Sequence, residues 1–318
     1  MQNFTSRINP NIYISAAIQL GLEFKILDDK NGIVEISDGD KKLKVHLAVL
    51  SCFDESAKKL SKDKIKSLEL LEKNNIPTTL GKLFSISKKT EILEFIHIQL
   101  AMSSVVLKMN NGKGGKHVYV GITDIQEAEI AIDNMASDGV EEIIVEKYFS
   151  GKNFRAIVVN GKLLDIVERT VPHVVGDGIH TLEQLIKIKN EFKHDHEDVY
   201  LISQDLVSAS GFNANHVPSN LEIVKLSNIS SLTMGGDVHR VDLNIVNPAI
   251  KESLCKIQSV SGLFYCGIDI ISENLQNNFV VNEYNYAPGM TLHYLADYEK
   301  SLDVPKKILQ EYFLNYKS

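Results

Sequence analysis

With 318 residues, 44% of them hydrophobic, the chain is long enough for about two domains and carries enough apolar surface to build its own core. A net charge of −7 excludes the clustered basic face that nucleic-acid binding needs, so any phosphate recognition must be local. Three cysteines (Cys52, Cys255, Cys266) without CxxC spacing exclude a zinc knuckle or disulfide framework, and the absence of an apolar leader or an 18-residue apolar run predicts a soluble, cytoplasmic protein with no membrane partner.

Along the chain, Asn11–Leu20 has helical spacing of Ile12, Ala16 and Leu20, and Gly21 stops it before the alternating strand Leu22–Leu27. Short strands follow at Ile33–Ile36 and Leu43–Leu47, separated by the Asp38-Gly39 turn, so a small N-terminal α/β region opens the chain. Asp63–Asn74 reads as a charged helix ending before Pro77. A second module runs through a helix at Thr90–Leu100, strands at Ser104–Leu107 and Val118–Val120, a helix at Asp124–Ala136 and a strand at Glu142–Glu146. Then Arg155–Val159 and Lys162–Val167 flank Asn160-Gly161, the strongest hairpin signal in the sequence, which predicts that antiparallel sheet dominates the third module. Helices are expected at Thr181–Asn190, Pro248–Val260 and Asp303–Tyr316, with strands at Gly267–Ile271 and around Glu283. The resulting division is 1–85, 86–148 and 149–318.

Asp269 and, fourteen residues on, Glu283 and Asn285 would place two carboxylates and a carboxamide at the ends of neighbouring strands, an all-oxygen set suited to Mg²⁺. Lys108 ends a strand before Asn110-Asn111-Gly112-Lys113-Gly114-Gly115-Lys116, which is either a phosphate-cradling loop or a plain Gly-rich hairpin. Glu146-Lys147-Tyr148-Phe149 sits between two modules, as a hinge facing a ligand or as a linker. Arg169 precedes a loop poor in charge and can clamp a phosphate or carboxylate, or form an ordinary salt bridge. Asp237, after Gly235-Gly236, reads more naturally as a turn cap than as an amine ligand. His194 and His196, amid alternating charges, read as a solvated loop, and Cys255 and Cys266 as buried structural thiols.

In this order, a lysine helix, a strand-end Lys108 before a Gly-rich loop, a Glu-Lys-Tyr hinge, Arg169 with VPHVVGDGIHT, then GID and NEYNYAPGM, these motifs resemble the ATP-grasp ligases over nearly the whole chain. The run from Val145 to Ile186 is similar to the ATP-grasp modules of cyanophycin synthetases and to the glutathione synthetase half of bifunctional glutathione enzymes. The resemblance implies an α+β or α/β ATP-grasp fold, with a lid lobe and an antiparallel C-terminal lobe. It further implies an ADP-forming carboxylate–amine ligase working through an acyl phosphate on amino acid or small peptide substrates. By the same resemblance, Asp269, Glu283 and Asn285 hold one or two Mg²⁺ ions, with Mn²⁺ as a substitute. Lys64, Lys108, Asn111, Gly112, Gly114, Gly115, Glu146, Lys147, Tyr148, Phe149 and Asn153 take ATP, and Arg169 with Lys108 is catalytic. Arg155, His173, Ser231, Gly235, Gly236, Gly289 and Met290 line the substrate, and a homodimer is the expected assembly if the chain associates. Asn153 stands where the superfamily usually has an acidic residue on the ribose, His117 where relatives have glycine, and Ser227 and Ser231 where they carry arginine and asparagine. Losing that arginine points away from acidic peptide or γ-glutamyl substrates. The rival expectations are a glutathione synthetase-type ligase and a nucleotide-binding module that has lost catalysis.

Overall fold

The computed structural model describes residues 3–79, 81–112, 116–194, 200–209 and 211–315. Near the N-terminus, helix α1 (Ile8–Gln19) packs on a four-stranded antiparallel meander of β1 (Glu23–Asp28), β2 (Ile33–Ser37), β3 (Lys42–His46) and β4 (Val49–Leu50). Val34, Ile36, Leu43 and Val45 alternate inward, as a half-buried sheet requires, and meet Ile12, Tyr13, Ala16 and Ala17 of the helix. Two short helices follow, α2 (Glu55–Lys62), whose N-cap Asp54 accepts from Ser56 N and Ala57 N, and α3 (Lys64–Lys73), capped by Asp63.

The lid sheet consists of β5 (Gly81–Ser85), β6 (Val105–Met109), β7 (Val118–Ile122) and β8 (Glu142–Lys147), in the order β5-β8-β6-β7. Helices α4 (Lys89–Leu100) and α5 (Ile125–Ser137) cover one face, where Ile92, Ile96, Ala131, Ile132 and Met135 meet Val105, Leu107, Ile143 and Val145. The alternation of the strands therefore sends Lys108 and Glu146 to the opposite face. Strand β5 was missed in the sequence and lies on the N-terminal side of the boundary expected at residue 85, yet it pairs with β8 from Gly81↔Glu146 to Ser85↔Glu142. Its short run GKLFS lacks the β-branched pattern that marks the other strands.

The C-terminal lobe is built on β9 (Lys152–Val159), β10 (Lys162–Arg169), β11 (His173–Val175), α6 (Leu182–His194), α7 (Gln204–Ala209), β12 (Ile223–Lys225), β13 (Val238–Arg240), α8 (Pro248–Ser261), β14 (Tyr265–Ser272), β15 (Phe279–Asn285), α9 (Thr291–Tyr294) and α10 (Asp303–Asn315). Its main sheet runs β13-β10-β9-β14-β15, and β11 pairs with β12 apart from it. The Asn160-Gly161 turn joins β9 to β10 with φ of 45° and 75°, the doubly left-handed geometry that matches strand twist. All ladders within the named sheets are antiparallel, so the architecture is α+β.

Residues Phe154, Ala156 and Val158 face α3 and α8, while Ile157, Val159 and Tyr265 on the other face join α1, α10 and the N-terminal meander. That second face also carries Arg155, in step with Ile157, and Asp269, in step with Tyr265. The site therefore sits where the sheet emerges from under the N-terminal region and meets the lid. No helix among the described residues is long and apolar enough to cross a membrane.

Candidate active site in the cleft between lid and sheet

Register places the floor of the site. Arg155 on β9 lies opposite Asp269 on β14, and Asp269 opposite Glu283 on β15, so three charged side chains stand in one cross-strand row. Arg155 donates through Nε to Asp269 Oδ1 and through Nη2 to Oδ2 at 2.8 Å, while Arg169 Nη2 lies 3.2 Å from the same Oδ2. Burial would raise the Asp269 carboxyl, but the two guanidiniums outweigh it and hold the pKa at about 2. The carboxylate is charged at any working pH. Burial lowers the pKa of Arg169, against the opposing pull of Asp269, and among the described residues its buried Nε has no hydrogen-bond partner. A buried guanidinium N–H without an acceptor is costly, and a bound anion would satisfy it.

The cleft's other wall supplies lysines. Lys64, at the start of α3, donates to the carbonyls of Gly112 (2.8 Å) and Asn110 (3.3 Å) and lies 3.8 Å from Glu283 Oε2. Its pKa is lowered by burial, with Glu283 opposing. Lys108, 4% exposed, pairs with Glu146 Oε1 at 2.7 Å and donates to Asn282 Oδ1 at 3.0 Å. Glu146 is thus a buried partner of Lys108. Beyond it, Lys147 and Tyr148 are exposed, Phe149 is half-buried, and the Tyr148 amide donates to Ser104 O. Asn111 is exposed and Gly112 half-buried; Gly114 and Gly115 lie outside the described residues. His117 holds a left-handed φ of 53°, with Nε2 3.6 Å from Asp138.

For a divalent cation, the relevant donors are the oxygens of Asp269, Glu283 and Asn285. Asn285 Nδ2 donates to Glu283 Oε1 at 3.0 Å, which turns its carbonyl oxygen away from that carboxylate. Among the described residues no trio of His, Cys, Asp and Glu gathers for a metal. Two carboxylates and a carboxamide nevertheless form the hard, partly filled oxygen set that Mg²⁺ takes when substrate phosphates complete its shell.

Further along the cleft, Gly235 (φ 88°) and Gly236 make a turn that admits no side chain. A Cβ at Gly236 would stand 2.3 Å from Thr170 O, and one at Gly235 2.7 Å from Ile202 N. Asp237 is not the cap of that turn, contrary to the sequence expectation: Lys189 reaches its Oδ2 at 2.7 Å, Lys193 its Oδ1 at 2.9 Å, and Tyr298 Oη donates to Oδ1 at 2.7 Å. Lys193 also donates to Gly235 O and Gly236 O, and Lys189 to His173 O. The segment around His194 is therefore the end of helix α6, with Lys193 buried, where a solvated loop was expected; His196 lies outside the described residues. His173 donates through Nδ1–H to Val171 O, and burial lowers its pKa. Ser231 Oγ meets Thr233 Oγ1 at 2.9 Å, Ser227 Oγ accepts from Ile229 N, and Asn153 Nδ2 donates to Ser230 Oγ. Gly289 lies near the Asn9 amide and Met290 N donates to Asn9 Oδ1 at 2.7 Å, so α1 fixes this loop against the sheet.

Cys266 on β14 is buried and Cys255 on α8 partly so, both in the apolar layer between helix and sheet, with burial raising both thiols, as expected of structural cysteines. Sequence reasoning missed Asn282, the lysine pair on α6, Asn9 and the buried His293. Only the i,i+4 spacing of Lys189 and Lys193 was visible as a signal.

Comparisons with known proteins bear on the fold. Residues 61–173 match a RimK-like ATP-grasp domain. The glutathione biosynthesis bifunctional protein of Streptococcus agalactiae is 25% identical over 97% of this chain and 43% of its own length. Cyanophycin synthetase of Geminocystis herdmanii is 34% identical over 59% of this chain and 23% of its own. Among solved structures, a bifunctional glutathione synthetase from Pasteurella multocida superposes with a TM-score of 0.65 at 20% identity, covering 97% of this chain and 43% of that one. The chain spans less than half the length of these relatives. By fold, domain match and motif order, the chain is similar to the ATP-grasp ligases.

Proposed function

We propose that the chain is an ATP- and Mg²⁺-dependent ligase that joins a small carboxylate, an amino acid or short peptide, to an amine, with ADP and phosphate as products. The observation that carries this reading is the meeting of Arg169, with its unpartnered buried Nε, and Asp269 and Glu283 under the lysines Lys64 and Lys108. Such a constellation suits phosphoryl transfer, where catalysis is mostly positioning and charge stabilisation.

In this reading the substrate carboxylate attacks the γ-phosphorus of ATP, ADP departs, and the amine then attacks the acyl phosphate and expels phosphate. Asp269, Glu283 and Asn285 would hold Mg²⁺, or Mn²⁺ in its place, which supplies neutralisation of the phosphate oxygens. Arg169 binds the transferring phosphoryl group through Nε, and Arg155 keeps Asp269 oriented and charged. Lys64 and Lys108 bind the phosphates together with the loop from Asn111 to Gly115. Glu146, Lys147, Tyr148, Phe149 and Asn153 frame the nucleoside. His173, Ser231, Gly235, Gly236, Gly289 and Met290 border the carboxylate and amine. A cytoplasmic location and assembly as a homodimer belong to the same reading.

The test is ADP release across a panel of amino acid and dipeptide pairs with Mg²⁺. Glu283→Ala should abolish it, and turnover surviving that change would sink the metal assignment. The named relatives favour one specific alternative, γ-glutamylcysteine and glycine as the pair; Ser227 and Ser231 oppose it. ADP release with that pair alone would decide for it, and nucleotide binding without ADP release on any pair would favour a module without catalysis.

A further inference from the structure

Resting on the ATP reading, one residue outside the expected set stands out. Strand β15 pairs Glu283 with Asp269 and Val281 with Ile270, which leaves Asn282 opposite nothing: a β-bulge. Val281 and Tyr284 both lie in the apolar core under α3 and α8. The two residues between them, Asn282 and Glu283, must therefore both turn toward the cleft. In a regular strand they would point to opposite faces.

The bulged Asn282 accepts from Lys108 Nζ at 3.0 Å. A lysine ammonium can only donate, so it fixes the flip of the amide, with Oδ1 toward Lys108 and Nδ2 away from it. Among the described residues Nδ2 has no partner, and Asn282 is only half-buried, so this N–H₂ group is open to the cleft. Lys108 thus donates to Asn282 while it forms an ion pair with Glu146. Glu146 begins the hinge, whereas Arg169 and Asp269 mark the phosphoryl end. Asn282 stands between these, on the hinge side of Glu283.

We propose that Asn282 is a nucleotide-binding residue: it orients Lys108 through Oδ1 and donates from Nδ2 to the nucleoside or its first phosphates, not to the γ-phosphate. The bulge is thus a device that adds a second cleft-facing side chain next to Glu283.

The experiment is calorimetric titration of the full chain with Mg²⁺ plus ADP, and separately plus the non-hydrolysable analogue AMPPNP, for wild type, N282D and N282L. N282D keeps an acceptor for Lys108 and nearly the same shape, but removes the donor and adds charge; N282L removes both functions. Each variant is expected to weaken ADP and AMPPNP alike, by about tenfold, the scale of one hydrogen bond to a charged group. Wild-type affinity in both variants would overturn the proposal. So would a loss in N282L alone, which would leave Asn282 only an acceptor for Lys108, or a loss confined to AMPPNP, which would move the contact to the γ-phosphate. A wild-type protein that binds neither nucleotide would instead overturn the ATP reading itself, and the inference with it.

Discussion

The molecule contains two buried clusters of the same composition, two cations and one aspartate, and they differ in how completely they are satisfied. At Asp237, Lys189, Lys193 and Tyr298 surround the carboxylate, and Lys193 fills its remaining donors with the carbonyls of Gly235 and Gly236. At Asp269, Arg155 takes both oxygens and Arg169 shares one of them, yet among the described residues Arg169 Nε is left without an acceptor. A closed network stiffens a wall; an open one retains unmet hydrogen-bonding capacity that a ligand can take up. The contrast separates support from chemistry although burial and charge are alike.

The largest expected effect removes the shared anion from each cluster. Asp269→Asn and Asp237→Asn both strand two buried cations, and each should lose about 3–5 kcal/mol of stability in urea unfolding. Their consequences then diverge: D269N should also abolish ADP formation, while D237N should bind AMPPNP as wild type does. Equal loss of nucleotide binding in both would show that the Asp237 cluster belongs to the ATP site and would break the contrast.

Next in size is the cation comparison. Arg169→Met removes a guanidinium that Asp269 does not need, since Arg155 alone covers both oxygens. Stability should hold while turnover falls about 10²–10³-fold, the usual cost of losing one preorganised donor to a developing negative charge. Lys193→Met, in contrast, deletes two hydrogen bonds, to Gly235 O and Gly236 O, and the ion pair with Asp237, and should destabilise by about 1–3 kcal/mol. Thermal unfolding and single-turnover kinetics on both variants separate these outcomes. A destabilised R169M with unchanged turnover would reverse the assignment of the two clusters.

Much of this frame was legible in the sequence because it rests on local signals. The Asn160-Gly161 hairpin, the helix capped by Asp63 and the strands around Asp269 and Glu283 all follow from spacing and turn chemistry. What escaped depends on register and on distant partners. Asp237 looks like a turn residue until α6 brings Lys189 and Lys193 to it across more than forty residues of chain. Lys193 sits in a run of alternating charges that reads as solvated, and only the helix around it makes it a core residue. The bulge at Asn282 cannot be seen in β15 alone, since it is defined by the strand opposite. Strands β11 and β12 are three residues each and pair across almost fifty positions, too short to show a period.

A third cluster lies between these extremes and yields the smallest effect. Asp165 accepts from Arg240 Nη1 at 2.7 Å and from His293 Nδ1 at 2.8 Å, and among the described residues the fully buried His293 keeps Nε2 without a partner. Burial lowers the pKa of His293 below its ordinary value, Asp165 opposes this, and the nearby Arg155 and Arg240 add to the lowering. The unfolded chain therefore takes up a proton near pH 6.5, where the folded ring still refuses it. Stability is full above that pH and should fall as the pH drops below it, by at most about 1.4 kcal/mol per unit, until the folded ring also titrates. His293→Asn removes this term, so the difference between wild type and variant in urea unfolding should shift between pH 6.5 and 5 and stay constant from pH 7 to 8. A constant difference across the whole range would mean that His293 is already paired at Nε2. The Asp165 cluster would then be closed in the same sense as the one at Asp237, leaving Arg169 as the open member of the three.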